Sequence, residues 1–279
     1  MPLPIIPYDS TTTQAVGGGI LRAQVFGYSV CGRELIYYSL GQGSEVVLLA
    51  AGFHGQEWVT SYVLLRLMER LSPPPPQISK RLIFVPLVNP DGVDIAIHGA
   101  KSAGVFADSI EEILAKSGDG WNANARGVDI NHNFDARWHT LRRMEIAAGI
   151  TGPAPRRYGG AYPNSEPETR ALVALTLSAC PSRVLALHSQ GEELYWEYGG
   201  VQIPGAQEMA IALADAAGYR LVRNGGLAAH GGYKDWFISE FRRPGFTVEL
   251  GKGQNPLPLA DFESIYAKVE PLLLLAVGG

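Results

Sequence analysis

The strongest constraint on this chain is a set of short runs that are apolar almost throughout instead of alternating. Residues 46–51, 81–88 and 184–187 are of this kind. A strand that is apolar on both faces must be covered on both faces. Between these runs lie stretches with helical spacing, at 60–71, 165–179, 206–217, 233–241 and 261–277, with a further helix expected at 108–116. Strands that alternate with helices in this way predict an α/β fold, a mostly parallel or mixed sheet with helices on both sides.

The remaining segments fit that frame. Residues 21–30 and 34–40 read as strands joined by a turn at Cys31-Gly32-Arg33, and 194–198 and 246–250 as two more. Residues 1–19 read as an extended lead-in ending in three glycines, and Pro73-Pro74-Pro75-Pro76 as a stiff loop. Asn89-Pro90-Asp91-Gly92 is a strong turn signal. Residues 93–127 look irregular apart from the 108–116 helix, and 149–164 read as a long Gly- and Pro-rich loop. Ser165 with Glu168 three residues on predicts a capping box. Gly218 closes the 206–217 helix. No internal repeat or linker interrupts the chain, so a single domain over residues 1–279 is expected.

A chain of 279 residues that is 46% hydrophobic can bury a large core. Its net charge of −4 argues against nucleic acid or an anionic membrane as partner. No apolar run approaches the ~18 residues of a membrane span, and Met1 to Ser10 lacks the pattern of a signal peptide. With only Cys31 and Cys180 there is no disulfide framework, and the reading is cytoplasmic. Oligomeric state is not legible.

Several polar residues fall at the ends of the apolar strands. His54 and Glu57 follow 46–51, His188 follows 184–187, and Glu249 sits near the end of 246–250. In α/β sheets, ligands bind beyond the carboxyl ends of strands. A His-x-x-Glu pair alone is short, and by itself is more often an ordinary strand-to-helix turn. Together with His188 it supplies the three protein ligands of a catalytic zinc, one ion per chain. Glu249 is then free to take a proton from the attacking water and pass it to the leaving amine. His98, His139 and His230 lie in loops or beside glycines and are weaker candidates.

These residues and their neighbours resemble the zinc carboxypeptidases, the family of carboxypeptidase A. The matching stretches run in the family's order: Gly32-Arg33-Glu34-Leu35, His54-Gly55-Gln56-Glu57-Trp58, Asn89-Pro90-Asp91-Gly92, Gly127-Val128-Asp129-Ile130-Asn131, Ser165-Glu166-Pro167-Glu168-Thr169, His188-Ser189 and Phe246-Thr247-Val248-Glu249-Leu250. Carboxypeptidase A is itself a type example of a zinc site of two histidines and one glutamate. The resemblance implies a three-layer α/β/α sandwich with a mixed sheet of roughly eight strands. It makes His54, Glu57 and His188 the zinc ligands and Glu249 the base. It makes Asp129 the acceptor that orients a zinc histidine. It also implies a cis peptide bond between Ser189 and Gln190.

The departures narrow the reading. Where the carboxypeptidases place arginines, this chain has Gln56, Asn122 and His132, and Leu227 stands where they place a tyrosine. Gln and Asn cannot supply the bidentate cation that holds a peptide's terminal carboxylate. Asn131, His132 and Arg126 are the expected substrate-binding residues. Arg137, Arg142, Arg156 and Arg157 are further candidates for a substrate carboxylate. The pattern, with Gly232-Tyr233-Lys234-Asp235-Trp236-Phe237, is most similar to a branch of γ-D-glutamyl-L-diamino-acid endopeptidases and murein peptide amidases. That implies a small murein peptide as substrate, cut between D-Glu and diaminopimelate or an L-Lys-type diamino acid, within cell-wall recycling. The alternatives are a carboxypeptidase on ordinary peptides, a deacylase of the aspartoacylase or succinylglutamate desuccinylase type, and a non-catalytic module on the same fold.

Overall fold

A computed structural model describes residues 14–16, 19–72, 79–118, 120–223 and 225–278. Most of the expected lead-in and the Pro73–Pro76 loop lie outside the described residues. β1 (Gln14–Val16) and β2 (Gly19–Leu21) pair antiparallel, so these residues are regular structure and not an extended lead-in. Then follow β3 (Gln24–Tyr28), β4 (Glu34–Leu40), β5 (Val46–Ala50), α1 (Val59–Arg70), β6 (Arg81–Val85), α2 (Pro90–His98), α3 (Ala107–Ser117) and α4 (Trp138–Ala147). The chain continues through α5 (Pro167–Ala179), β7 (Arg183–Ser189), β8 (Glu193–Tyr195), α6 (Ala206–Ala217), β9 (Arg220–Val222), α7 (Tyr233–Phe241), β10 (Gly245–Leu250) and α8 (Phe262–Gly278).

Strands β3 to β10 form one eight-stranded mixed sheet in the order β3-β4-β6-β5-β7-β10-β8-β9. The middle strands, β6-β5-β7-β10, run parallel. β4 joins β6, and β8 joins β10, antiparallel. Helices α1, α6 and α8 pack on one face of the sheet. Helices α5 and α7, with residues from Ile130 to Ala136, cover the other. The expected three-layer α/β/α sandwich is therefore present. It explains why every residue of β5 and β7 is buried. No helix among the described residues is long and apolar enough to cross a membrane.

Some local expectations need correction. The turn expected at 89–92 is the start of α2, where Asn89 caps the helix by accepting from the Gly92 N–H at 2.9 Å. Asn followed by Pro serves a helix N-terminus as well as a turn, because the first helical position needs no N–H donor. The strand expected over 81–88 stops at Val85, before Pro86, which has no N–H to give the ladder. The capping box at Ser165 does not form. Pro167 takes the first position of α5 and Glu166 the cap, so the Ser165 hydroxyl donates instead to Glu166 Oε1 at 2.7 Å. Helix α4 falls where no helix was expected, and β8 is shorter than the predicted 194–198 strand.

Candidate active site

Adjacent parallel strands β5, β7 and β10 place their carboxyl ends side by side. Beyond β5, Gly52 turns the chain at φ +65°, and a Cβ there would meet the Leu87 side chain at 2.7 Å. Gly55 sits between His54 and Glu57, where an added Cβ would lie 2.3 Å from the carbonyl oxygens of Gly92 and Trp121. The positive φ at Gly52 and the close backbone approach at Gly55 require glycine. Gly55–Glu57 then forms a single 3₁₀ turn that leads into α1. Its extended entry at His54 turns both side chains toward the end of β7.

There they meet His188. His54 Nδ1 lies 2.8 Å from Glu57 Oε1, and His188 Nδ1 lies 3.1 Å from Glu57 Oε2. One ligand atom from each of the three residues falls within 4.8 Å of the others. A tetrahedron with bonds of ~2.1 Å has edges of about 3.4 Å, and the two His–Glu57 separations, 2.8 and 3.1 Å, lie close to that. Glu57 and His188 are buried. Two imidazoles and a carboxylate suit zinc better than calcium or magnesium, which prefer oxygen alone.

The contact between His54 and Asp129 fits that use. His54 Nε2–H donates to Asp129 Oδ1 at 3.0 Å, which leaves Nδ1 as the lone-pair nitrogen facing the cluster. Asp129 is itself fixed: Oδ1 also accepts from the Asn131 N–H at 3.1 Å and Oδ2 from the Arg157 N–H at 2.8 Å. Burial disfavours a charged His54, yet the Glu57 and Asp129 carboxylates outweigh it and hold its pKa well above the ordinary imidazole range. Burial raises Glu57 too, but the two histidines overcome it and bring its carboxyl down to about 2. Burial pushes His188 down. Two buried carboxylates around imidazole nitrogens make a strong electrostatic trap for a cation.

Glu249 comes from β10, in register with His188 on β7. Burial, and after it the charge of Glu57, raises its carboxyl well above the usual range. It lines a small pocket with Asn131, Tyr195, Gly232, Lys234 and Asp235. Asn131 Oδ1 accepts from the Tyr233 N–H at 3.0 Å, so its amide donors remain for the pocket.

Other expected substrate residues are placed differently. His132 Nδ1 contacts Glu145 Oε1 at 3.0 Å and the Arg157 carbonyl at 3.2 Å, and the ring is not part of the pocket wall. Arg126 is half exposed and lies 3.6 Å from Glu166. Arg156 instead reaches Gln56 Oε1, at 3.3 Å, so a guanidinium returns beside the position where an arginine is missing. The Ser189–Gln190 bond is cis. Lys234, Asp235 and Tyr195 are pocket residues that sequence reading did not assign. For Lys234 and Asp235 the signal was a charged pair inside an otherwise aromatic stretch.

The zinc carboxypeptidase family matches this chain over residues 13–269. The chain belongs to that family. Among its relatives, γ-D-glutamyl-L-diamino acid endopeptidase 1 of Lysinibacillus sphaericus is 35% identical over 91% of this chain and 66% of its own length. This chain therefore spans slightly less than two thirds of that relative. Murein peptide amidase A of Escherichia coli K12 is 27% identical over 76% of this chain and 74% of its own length. Carboxypeptidase A from Helicoverpa armigera shares the fold with a TM-score of 0.71 at 19% identity, over 92% of this chain and 68% of that one. The murein-tripeptide amidase of Escherichia coli O157 shares it with a TM-score of 0.61 at 23% identity, over 96% and 94%. Family membership makes zinc the implied metal, and the His54, Glu57 and His188 cluster provides a fitting donor set.

Proposed function

We propose that this chain is a zinc peptidase that hydrolyses the amide between the γ-carboxyl of D-Glu and the L-centre of a diamino acid in murein peptides. The reaction class rests on the cluster of His54, Glu57 and His188 with Glu249 beside it. The choice of bond is supported by the 35% identity to a γ-D-glutamyl-L-diamino acid endopeptidase. It is also supported by Gln56, Asn122 and His132 at positions where carboxypeptidases place arginines.

In this reading His54 Nδ1, His188 Nδ1 and the Glu57 carboxylate hold the metal, and Asp129 keeps the His54 ring in its ligating tautomer. Zinc, when bound, supplies Lewis acidity toward the scissile carbonyl and the attacking water. Glu249 accepts a proton from that water and returns it to the leaving amine. The Asn131 amide donates to the α-carboxylate of the leaving residue, and Arg156, held by Gln56, serves the α-carboxylate of D-Glu.

The test is a side-by-side assay of L-Ala-γ-D-Glu-meso-diaminopimelate, hippuryl-Phe, hippuryl-Arg and N-acetyl-aspartate. Release of diaminopimelate should lead by at least about a hundredfold in kcat/KM, or ~2.7 kcal/mol. Efficient cleavage of a hippuryl substrate would restore the ordinary carboxypeptidase reading, and turnover of N-acetyl-aspartate alone would make the chain a deacylase.

A further inference from the structure

We propose that Asn255, in the loop that follows β10, is a positioning residue of the metal centre. It fixes the Ser189 backbone so that the Ser189 N–H holds the Glu57 carboxylate in its ligating orientation. The inference rests on the His54, Glu57 and His188 donor set of the reading above, and on no choice of substrate.

Ser189 is the last residue of β7, directly after His188. Its N–H donates to Glu57 Oε2 at 3.2 Å, and that oxygen also lies 3.1 Å from His188 Nδ1. The Ser189 amide thus steers the oxygen that faces His188. Asn255 holds Ser189 at two atoms. The Ser189 hydroxyl donates to Asn255 Oδ1 at 2.9 Å, and Asn255 Nδ2 donates to the Ser189 carbonyl at 2.7 Å. Two bonds from one planar amide fix both the Ser189 side chain and the peptide plane that follows it.

The loop is anchored apart from these contacts, so Asn255 holds Ser189 and not the reverse. Leu257 is buried in the core. A Cβ on Gly251 would lie 2.8 Å from Leu257 Cδ1 and 3.1 Å from Ile265 Cδ1 on α8, so the loop's two ends pack on each other and on that helix. The Gly251 carbonyl accepts from the Gly191 N–H at 2.8 Å. Lys252 of the loop and Lys268 of α8 both pair with Glu192 Oε2, at 2.8 and 2.6 Å. The exit of β7 is therefore pinned from outside the cluster, and Asn255 is the pin nearest the ligands. Partners that orient metal ligands in this way typically change metal affinity when removed. An asparagine that only closed its own loop would change stability and leave the metal untouched.

The experiment measures zinc affinity by competition with a chromogenic chelator, and the visible spectrum of the Co²⁺-substituted protein, which reports ligand geometry. The proteins are the wild type, Asn255→Ala, Ser189→Ala and the double variant. Asn255→Ala should weaken zinc binding by about tenfold or more and shift the cobalt bands. Ser189→Ala removes only the hydroxyl contact and should weaken binding by about threefold. The double variant should match Asn255→Ala within about twofold, because both substitutions act through one residue. Thermal melts of the metal-free proteins measure the purely structural cost separately. Wild-type zinc affinity and cobalt bands in folded Asn255→Ala overturn the inference, whatever the melting temperature, and so do losses that multiply in the double variant. Should Asn255→Ala fail to fold, unchanged affinity in Ser189→Ala overturns it alone. A wild type that binds no zinc removes the donor set and this inference together. None of these measurements uses a peptide, so a wrong choice of scissile bond does not alter them.

Discussion

Glu249 stands opposite His188 in the register of two neighbouring parallel strands, β10 and β7. Side chains at paired positions of parallel strands project to the same face. His188 follows Val184 and Ala186 on the face covered by α5 and α7, so Glu249 projects there too. The register alone puts Glu249, the proposed base, next to His188, a proposed metal ligand. Glu249→Gln should keep the fold and the zinc while lowering kcat by ~10²–10⁴-fold. A loss of less than about threefold, with zinc content unchanged by elemental analysis, would remove Glu249 from the chemistry.

Zinc content should follow the donor set. Purified without chelator, the protein should carry about one zinc per chain, and His54→Ala and His188→Ala should each lose it. Full occupancy in both variants would refute the assignment.

In the proposed site, Asp129 would act on the metal through the His54 ring. Asp129→Asn should weaken zinc affinity by about 10–100-fold, measured by competition with a chromogenic chelator. His54 itself should remain able to bind, so the effect is partial. Affinity equal to that of the wild type would show that the 3.0 Å contact does not orient the ring.

Glu168 gives a pH dependence of stability that is separate from the zinc cluster. It is fully buried on α5, accepts from the Val30 N–H at 3.0 Å, and has Asp91 and Glu166 as neighbouring carboxylates. Burial, chiefly, pushes its carboxyl up to about 7. The folded state thus holds a proton that the unfolded chain gives up near its ordinary carboxyl range. The contribution is full below about pH 4 and is lost as pH rises toward 7, by ~3 kcal/mol. Denaturant titrations at saturating zinc should show a flatter slope between pH 5 and 8 for Glu168→Gln than for the wild type. Identical slopes would mean that Glu168 does not hold that proton.

Arg33 satisfies a carboxylate that has no access to water. Asp91 is fully buried, Arg33 pairs with it at 2.5 Å, and the Ser29 hydroxyl and Cys31 N–H donate to it as well. Arg33→Met should cost roughly 3 kcal/mol, because it strands a buried charge. Urea unfolding would measure this, and a change below about 1 kcal/mol would show that the two remaining donors suffice.

The sequence by itself determined the α/β class and the residues that gather at the strand ends. Both follow from local pattern. An all-apolar run must be buried on both faces, and His54, Glu57, His188 and Glu249 stand at or just beyond such runs, so their meeting needed only that β5, β7 and β10 be neighbours. Helix α7 was legible to its last residue, from Tyr233 to Phe241, yet its role in the pocket was not. Periodicity reports that a helix exists, while the side that faces β10 depends on what packs around it. Only the tertiary structure turned Lys234 and Asp235 into the pocket wall, and only it brought Arg156 from a loop 100 residues away to Gln56. The same holds for His132, which follows Asn131 in the chain but is drawn to Glu145 on α4. Adjacent residues leave a 3₁₀ turn in different directions, so proximity in sequence could not decide which of them would face the substrate.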